Sequence, residues 1–270
     1  MRAVIDNCSL FCYYLYVNKL KWWCIYIKPL EKLFNINRGD IISIVGSGGK
    51  TSLLFTIAKE LKSNYNVLVT TSTKIFRPSD NDYDYLYTDV KSYVKRNFLT
   101  NSLTVISKDV IEEANKLIGI DDSDLDNIYK DFDVILIEAD GSRRLPLKGW
   151  KSYEPSILNK TSKTIGIIPI DVLDKKVNKD LVYGFEEFNK LTDNADHVNF
   201  EVIGKICSNK SGLFKNSSGE LYLYLNKVDT KEDEVKAKEL SDYLEKKIIG
   251  HPFKFKICFG SIKRGIFYEY

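Results

Sequence analysis

The sequence predicts a three-layer α/β fold with a mostly parallel sheet, and three observations lead there. Four of the five residues Ile41-Ile42-Ser43-Ile44-Val45 are apolar and β-prone, so they read as a buried strand. Three glycines in the next four positions, Gly46, Gly48 and Gly49, break that strand. Lys50-Thr51-Ser52 then leads into Leu53, Leu54, Ile57, Ala58 and Leu61, which recur at helical spacing. A second apolar run at 67–71 makes the opening strand, helix, strand, as a right-handed parallel crossover requires.

Taken in order, residues 29–33 form a helical lead-in, and Asn37-Arg38-Gly39-Asp40 turns into the first strand. The first helix is expected to run to about Lys62, with Ser63-Asn64 as its stop. Short strands follow at 85–87 and 103–107. Helices are expected at 110–118 and, acidic and exposed, at 121–130. The run 132–137 is a strongly apolar strand, and 164–170 another. Residues 180–191 and 200–207 read as helices, 221–225 as a clean strand, and 230–247 as a long charged helix. The alternating 253–257 is a late strand at a sheet edge. No repeat, low-complexity tract or linker divides this chain.

With 270 residues, 25–270 suits one nucleotide-binding domain, and 1–24 is expected to be an extension outside the core. Its two apolar and aromatic runs, at 8–17 and 22–27, fall short of the roughly 20 residues a membrane span needs. No small-residue cleavage site follows them. A net charge of only +3 gives no bulk case for nucleic-acid binding. Five scattered cysteines without a C-x-x-C pair argue against a disulfide framework and for a reducing, cytoplasmic setting. With two histidines, a histidine-based zinc site is not expected.

Chemistry concentrates at strand ends. Strand, glycine turn, Lys-Thr and helix make a phosphate-binding loop, because a helix N-terminus offers unsatisfied N–H groups and glycines let phosphate reach the backbone. The full pattern places its first glycine where Ile44 stands. What remains is the compact form G-x-x-G-K-T, with Gly46, Ser47, Gly48, Gly49, Lys50, Thr51 and Ser52 as candidate nucleotide contacts. Lys50 would neutralise terminal phosphates, and the Thr51 hydroxyl would ligate Mg²⁺. The competing reading is a glycine turn with no ligand. Thr71, Thr73 and Lys74, at the end of the second strand, lie on the edge where ligands bind, unless they are only a solvated strand end.

Glu138-Ala139-Asp140-Gly141 ends an apolar strand, where P-loop enzymes hold Mg²⁺ or its waters with a carboxylate. Glu138 and Asp140 both qualify, and the E-x-x-G spacing lets the glycine N–H sense a γ-phosphate. Arg143, Arg144 and Lys148 follow at once, suited to a second anion or to phosphoryl-transfer charge. Asn226-Lys227-Val228-Asp229 has the guanine-reading form N-K-x-D, with Asn226, Lys227 and Asp229 as base contacts. Asp229 could instead cap the next helix.

These residues resemble the YqeC family, associated as accessory proteins with selenium-dependent molybdenum hydroxylases. The resemblance rests on 45–52, on 69–74, on 138–148 with Tyr153-Glu154-Pro155, and on 226–229, and covers roughly 29–260. It implies a P-loop protein acting in maturation or insertion of a selenium or molybdenum cofactor, with a molybdenum hydroxylase or another maturation protein as partner. Family members carry a His-Arg pair where this chain has Val182-Tyr183. The E-x-x-G and N-K-x-D pair also resembles the metallocentre-maturation GTPases of hydrogenase and urease. The expected activity is slow Mg²⁺-dependent hydrolysis of GTP or ATP, with Lys50, Glu138, Asp140, Arg143 and Arg144 as candidates to carry the chemistry. The alternatives are a kinase, nucleotidyltransferase or ligase acting on a small anionic substrate, and a non-catalytic nucleotide-binding scaffold.

Overall fold

The structure is a computed structural model that describes residues 28–94, 101–248 and 253–270. The expected extension, 1–24, lies outside the described residues. In chain order come α1 (Leu30–Leu33), β1 (Ile41–Gly46), α2 (Lys50–Leu61), β2 (Val67–Thr71), β3 (Lys74–Phe76), β4 (Tyr85–Tyr87), β5 (Leu103–Ile106), β6 (Asp109–Ile111), β7 (Lys116–Ile118), α3 (Asp122–Ile128) and β8 (Val134–Glu138). Then follow β9 (Leu147–Lys148), β10 (Lys163–Pro169), β11 (Val182–Tyr183), α4 (Phe185–Thr192), α5 (Phe200–Ser208), β12 (Glu220–Asn226), α6 (Lys231–Ile248), β13 (Phe255–Ser261) and β14 (Ile266–Glu269).

Nine strands form one sheet in the order β14-β13-β12-β10-β1-β8-β2-β5-β4. Every neighbouring pair is parallel except β13 with β14. Strands β1, β2, β8 and β10 are buried along their whole length, which is why they read as continuous apolar runs rather than alternating ones. Alternation appears instead in what each face covers. Ile42 and Ile44 pack with Leu53, Leu54 and Ile57 of α2, with α1 alongside through Leu30 and Leu33. On the other face, Ile135 and Ile137 meet Leu125 and Ile128 of α3. There too, Leu223 and Leu225 meet Phe188, Ile203 and Leu240 of α4, α5 and α6. The result is the expected three-layer α/β fold, as in P-loop NTPases.

Three expectations are corrected. The helix expected at 110–118 is a β-turn-β unit, β6 and β7, closed by Asn115 in the left-handed conformation (φ 48°). Val110 and Leu117 face the core on paired strands, and β7 also pairs with β3, so tertiary pairing overrides the helical propensity of Glu112-Glu113-Ala114. The helix expected from 180 begins only at Phe185. Gly184, at φ 68°, stops a helix from starting earlier, and Val182–Tyr183 pairs with β9 instead. The late strand β13 is not at an edge, because β14 folds back antiparallel against it.

Since β1, β2, β8, β10, β12 and β13 all run parallel, Gly46, Thr71, Glu138, Pro169, Asn226 and Ser261 end on one edge of the sheet. That edge is where open α/β sheets bind ligands.

Candidate nucleotide site

The loop after β1 turns through Ser47, Gly48 and Gly49 into the first turn of α2. Gly48 and Gly49 sit at φ 81° and 131°, which side-chain-bearing residues rarely adopt. A Cβ at Gly48 would lie 2.3 Å from the Pro169 ring, and one at Gly49 2.5 Å from Asn226 Nδ2. Gly48 therefore requires glycine on grounds of space as well as φ, and Gly49 on grounds of φ. No side chain caps α2 and no acid lies in its first turn, so its N–H groups remain open to an anion.

Lys50 is only 4% exposed. Its ammonium donates to the Gly46 carbonyl (2.6 Å) and lies 3.2 Å from Asp140 Oδ1 and 3.9 Å from Glu138 Oε1. Thr51 Oγ1 donates to Glu138 Oε2 at 2.6 Å. Burial pushes the Glu138 carboxyl above the ordinary carboxylate range, while Lys50 and Thr51 pull it back down. This is a hydroxyl and a carboxylate side by side at the foot of the glycine loop. Hard oxygen donors of this kind suit Mg²⁺.

The two carboxylates, equivalent in sequence, are not equivalent in space. Glu138 lines the cleft beside the loop. Asp140 is fully buried behind it. Asp140 Oδ2 accepts from the Gly46 backbone N–H (3.0 Å) and from Trp150 Nε1 (3.0 Å), with the Lys148 ammonium 3.4 Å away. The structure thus brings Glu138, and not Asp140, to the Thr51 hydroxyl. Lys148 is buried as well, donating to the Gly141 carbonyl (2.7 Å) and pairing with Glu154 at 3.2 Å. It is a structural cation and does not reach the cleft as the sequence had suggested. Arg143 and Arg144 are exposed and line the cleft, their guanidinium groups over the rings of Tyr183 (5.5 Å) and Phe76 (4.4 Å).

At the end of β2, Thr71 turns inward. Its hydroxyl donates to the Glu138 carbonyl (2.8 Å) and accepts from the Thr73 N–H (3.0 Å). Thr73 and Lys74 face the cleft. Ser47 is spent on the Pro146 carbonyl (2.8 Å), while Ser52 lines the cleft.

Asn226, at the end of β12, reaches the glycine loop directly: Nδ2 donates to the Gly48 carbonyl at 2.8 Å. Lys227 lines the cleft and pairs with Asp171 at 3.0 Å. Asp229 does not cap α6. Thr230 and Asp233 do that, with Thr230 N donating to Asp233 (2.9 Å) and Asp233 N donating to Thr230 Oγ1 (3.1 Å). The Asp229 carboxylate instead accepts from the Ser261 hydroxyl at the end of β13, and Arg264 donates to its carbonyl (2.7 Å). Gly48 to Ser52, Thr73, Lys74, Glu138, Arg143, Arg144, Asn226, Lys227 and Asp229 all line one cleft of about 1330 Å³.

The sequence profile of the family described as "YqeC protein" matches residues 42–186, more than half of the chain. The chain belongs to the YqeC family. An Escherichia coli K-12 protein described as "Uncharacterized protein YqeC" is 30% identical over 184 residues, covering 66% of this chain and 72% of that protein. The family match takes in the glycine loop after β1, Glu138, Asp140, Arg143, Arg144 and Tyr183. It ends before Asn226, Asp229 and Ser261.

Sequence reasoning missed Ser261-Ile262-Lys263, which lines the cleft beside Asp229. The Ile262 N–H points to Asn226 Oδ1 at 3.5 Å. The signal was a serine closing the strand that pairs with β12, with a lysine two positions on. It is legible only once β13 is extended from 257 to 261.

Proposed function

We propose that this protein binds a guanine nucleoside triphosphate and hydrolyses it slowly with Mg²⁺. The observation that carries the reading is the 2.8 Å bond from Asn226 to Gly48, which fastens a base-reading segment to a phosphate-reading loop. It brings together two sequence motifs that lie 178 residues apart in the chain.

On this reading the α2 N-terminus and Lys50 hold the phosphates. Lys50 must exchange part of its contact with Asp140 and Glu138 for phosphate oxygens, and both carboxylates lie close enough to return it when the product leaves. Thr51 and Glu138 are the residues that would hold Mg²⁺, which when bound would neutralise phosphate charge. Asp140 acts from behind, fixing Gly46, Lys50 and the loop from 141 to 150. The Asp229 carboxylate, held by the Ser261 hydroxyl, would accept the ring N1–H and exocyclic amine of guanine.

The family resemblance supports a role in maturing or inserting a selenium or molybdenum cofactor, with a molybdenum hydroxylase or a maturation protein as partner. Among the described residues no helix is long and apolar enough to cross a membrane. The deciding experiment is titration of the purified protein with GTP and ATP, with and without Mg²⁺. Binding of GTP well ahead of ATP supports the reading, and no binding of either nucleotide removes it.

A further inference from the structure

Beyond the phosphate loop, the cleft has a wall that the nucleotide reading does not use. The small sheet β3-β7-β6 stands at the carboxyl edge of the main sheet. It is fastened there by Gly119 N donating to the Thr73 carbonyl (2.6 Å) and Ile120 N to the Thr71 carbonyl (2.8 Å). Its strand period sorts the side chains. Ile75 and Leu117 go to the core, while Lys74, Phe76, Lys116 and Ile118 line the cleft. In register, Phe76 pairs with Lys116, whose ammonium lies 4.8 Å from the ring centre. Arg144 reaches the same ring from the loop after β8, at 4.4 Å, and Arg143 reaches Tyr183.

Four cations, Lys74, Lys116, Arg143 and Arg144, therefore line this part of the cleft. Among the described residues none of them pairs with a carboxylate, whereas the neighbouring Lys50, Lys148 and Lys227 all do. Like charges gathered without counterions repel, so the arrangement favours an anion that neutralises them. A guanidinium laid flat on a ring still presents edge N–H donors for two-point binding of an oxyanion. Arg143 and Arg144 are consecutive non-glycine residues at positive φ (50° and 64°), a strained backbone of the kind that persists where a site demands it. The cleft, at about 1330 Å³, also exceeds the roughly 300–1,000 Å³ that a single small ligand usually fills.

We propose that this wall is a second ligand site, for a phosphorylated small molecule with at least two phosphate groups, bound while a nucleotide occupies the phosphate loop. Four cations call for about four negative charges, which two phosphate groups supply. The proposal deepens the nucleotide reading by giving the reaction its second anionic ligand. It rests on that reading only for what fills the phosphate loop.

The test is calorimetric titration of inorganic pyrophosphate into the full chain, saturated with a non-hydrolysable GTP analogue and excess Mg²⁺. One further equivalent should bind, weakened about tenfold or more in Lys116→Ala and Phe76→Ala, as loss of a charged contact or of the ring that orients two of them implies. Both side chains are partly exposed, so the variants should fold, and analogue affinity should stay within about twofold, as for surface changes away from a site. Three results overturn the proposal: no binding of pyrophosphate, citrate binding as tightly as pyrophosphate, or both variants weakening the analogue as much as pyrophosphate. Pyrophosphate bound on this wall by a chain that takes no GTP analogue would leave this site standing and overturn the nucleotide reading instead.

Discussion

Asp229→Asn is the substitution that separates base reading from every structural role for this side chain. The carboxylate is half-buried and holds one hydrogen bond, from Ser261. Helix α6 is capped by Thr230 and Asp233 instead, so an amide at 229 should leave thermal stability nearly unchanged. In the complex the carboxylate would gain two donors from guanine. Adenine offers it an acceptor at N1 in place of a donor, so one or two contacts to a desolvated charge go unmade. At about 1.5–3 kcal/mol for each hydrogen bond to a charged group, GTP should bind roughly 100-fold or more ahead of ATP. In Asp229→Asn the amide can donate to the second oxo group of xanthine, so preference should move from GTP to XTP by a similar factor. Competition titrations of GTP, ATP and XTP against a fluorescent analogue, with melting curves beside them, measure both effects. Equal affinity for GTP and ATP in the unaltered chain, or a variant that keeps its preference for GTP over XTP, would refute the base-reading argument.

Lys50→Ala should abolish triphosphate binding and also lower the melting temperature, because it strips the ammonium from two buried carboxylates, a loss of about 3–5 kcal/mol for a broken buried pair. The sign with pH follows from Glu138. Its folded pKa is raised, so the fold favours the protonated form and its contribution is lost as pH rises through that folded value. The deficit of Lys50→Ala should therefore shrink towards acid pH, and a deficit that grows there would count against the assignment. Glu138→Gln should leave the melting temperature unchanged or higher at pH 8 while cutting Mg²⁺-dependent hydrolysis by about 100-fold or more. Asp140→Asn should instead destabilise by several kcal/mol, since an amide cannot serve Gly46, Trp150, Lys50 and Lys148 together; denaturant melts showing the two variants equally stable would erase this division of roles. Ser261→Ala should weaken GTP by about tenfold and leave ATP untouched, through loss of one oriented contact, as measured by the same competition titration.

The glycine turn between β1 and α2 was legible because its glycines answer to local backbone demands: Gly48 and Gly49 both turn at positive φ where this strand hands over to its helix. The buried parallel strands were legible for a related reason, being covered on both faces and so mostly apolar. The 110–118 segment was not, since nothing within it decides between a helix and two short strands. That choice is made by β3, more than thirty residues earlier, which supplies the pairing edge.

The acidic strand end shows the limit most sharply. Glu138 and Asp140 are two residues apart on an extended chain, so the pleat points both to the same side and leaves them indistinguishable in sequence. What divides them lies elsewhere: Thr51 claims one, while the indole of Trp150 and the ammonium of Lys148 close over the other. Burial by a loop that returns after ten residues has no period to betray it. Asp229 and Ser261 pose the same problem at longer range. Asn226-Lys227-Val228-Asp229 can be read as a motif, but whether its carboxylate caps a helix or faces a cleft is decided by a serine 32 residues on, in the neighbouring strand. The β12–β13 register brings the ends of those strands together, and with them the Ser261 hydroxyl that holds the Asp229 carboxylate at the cleft.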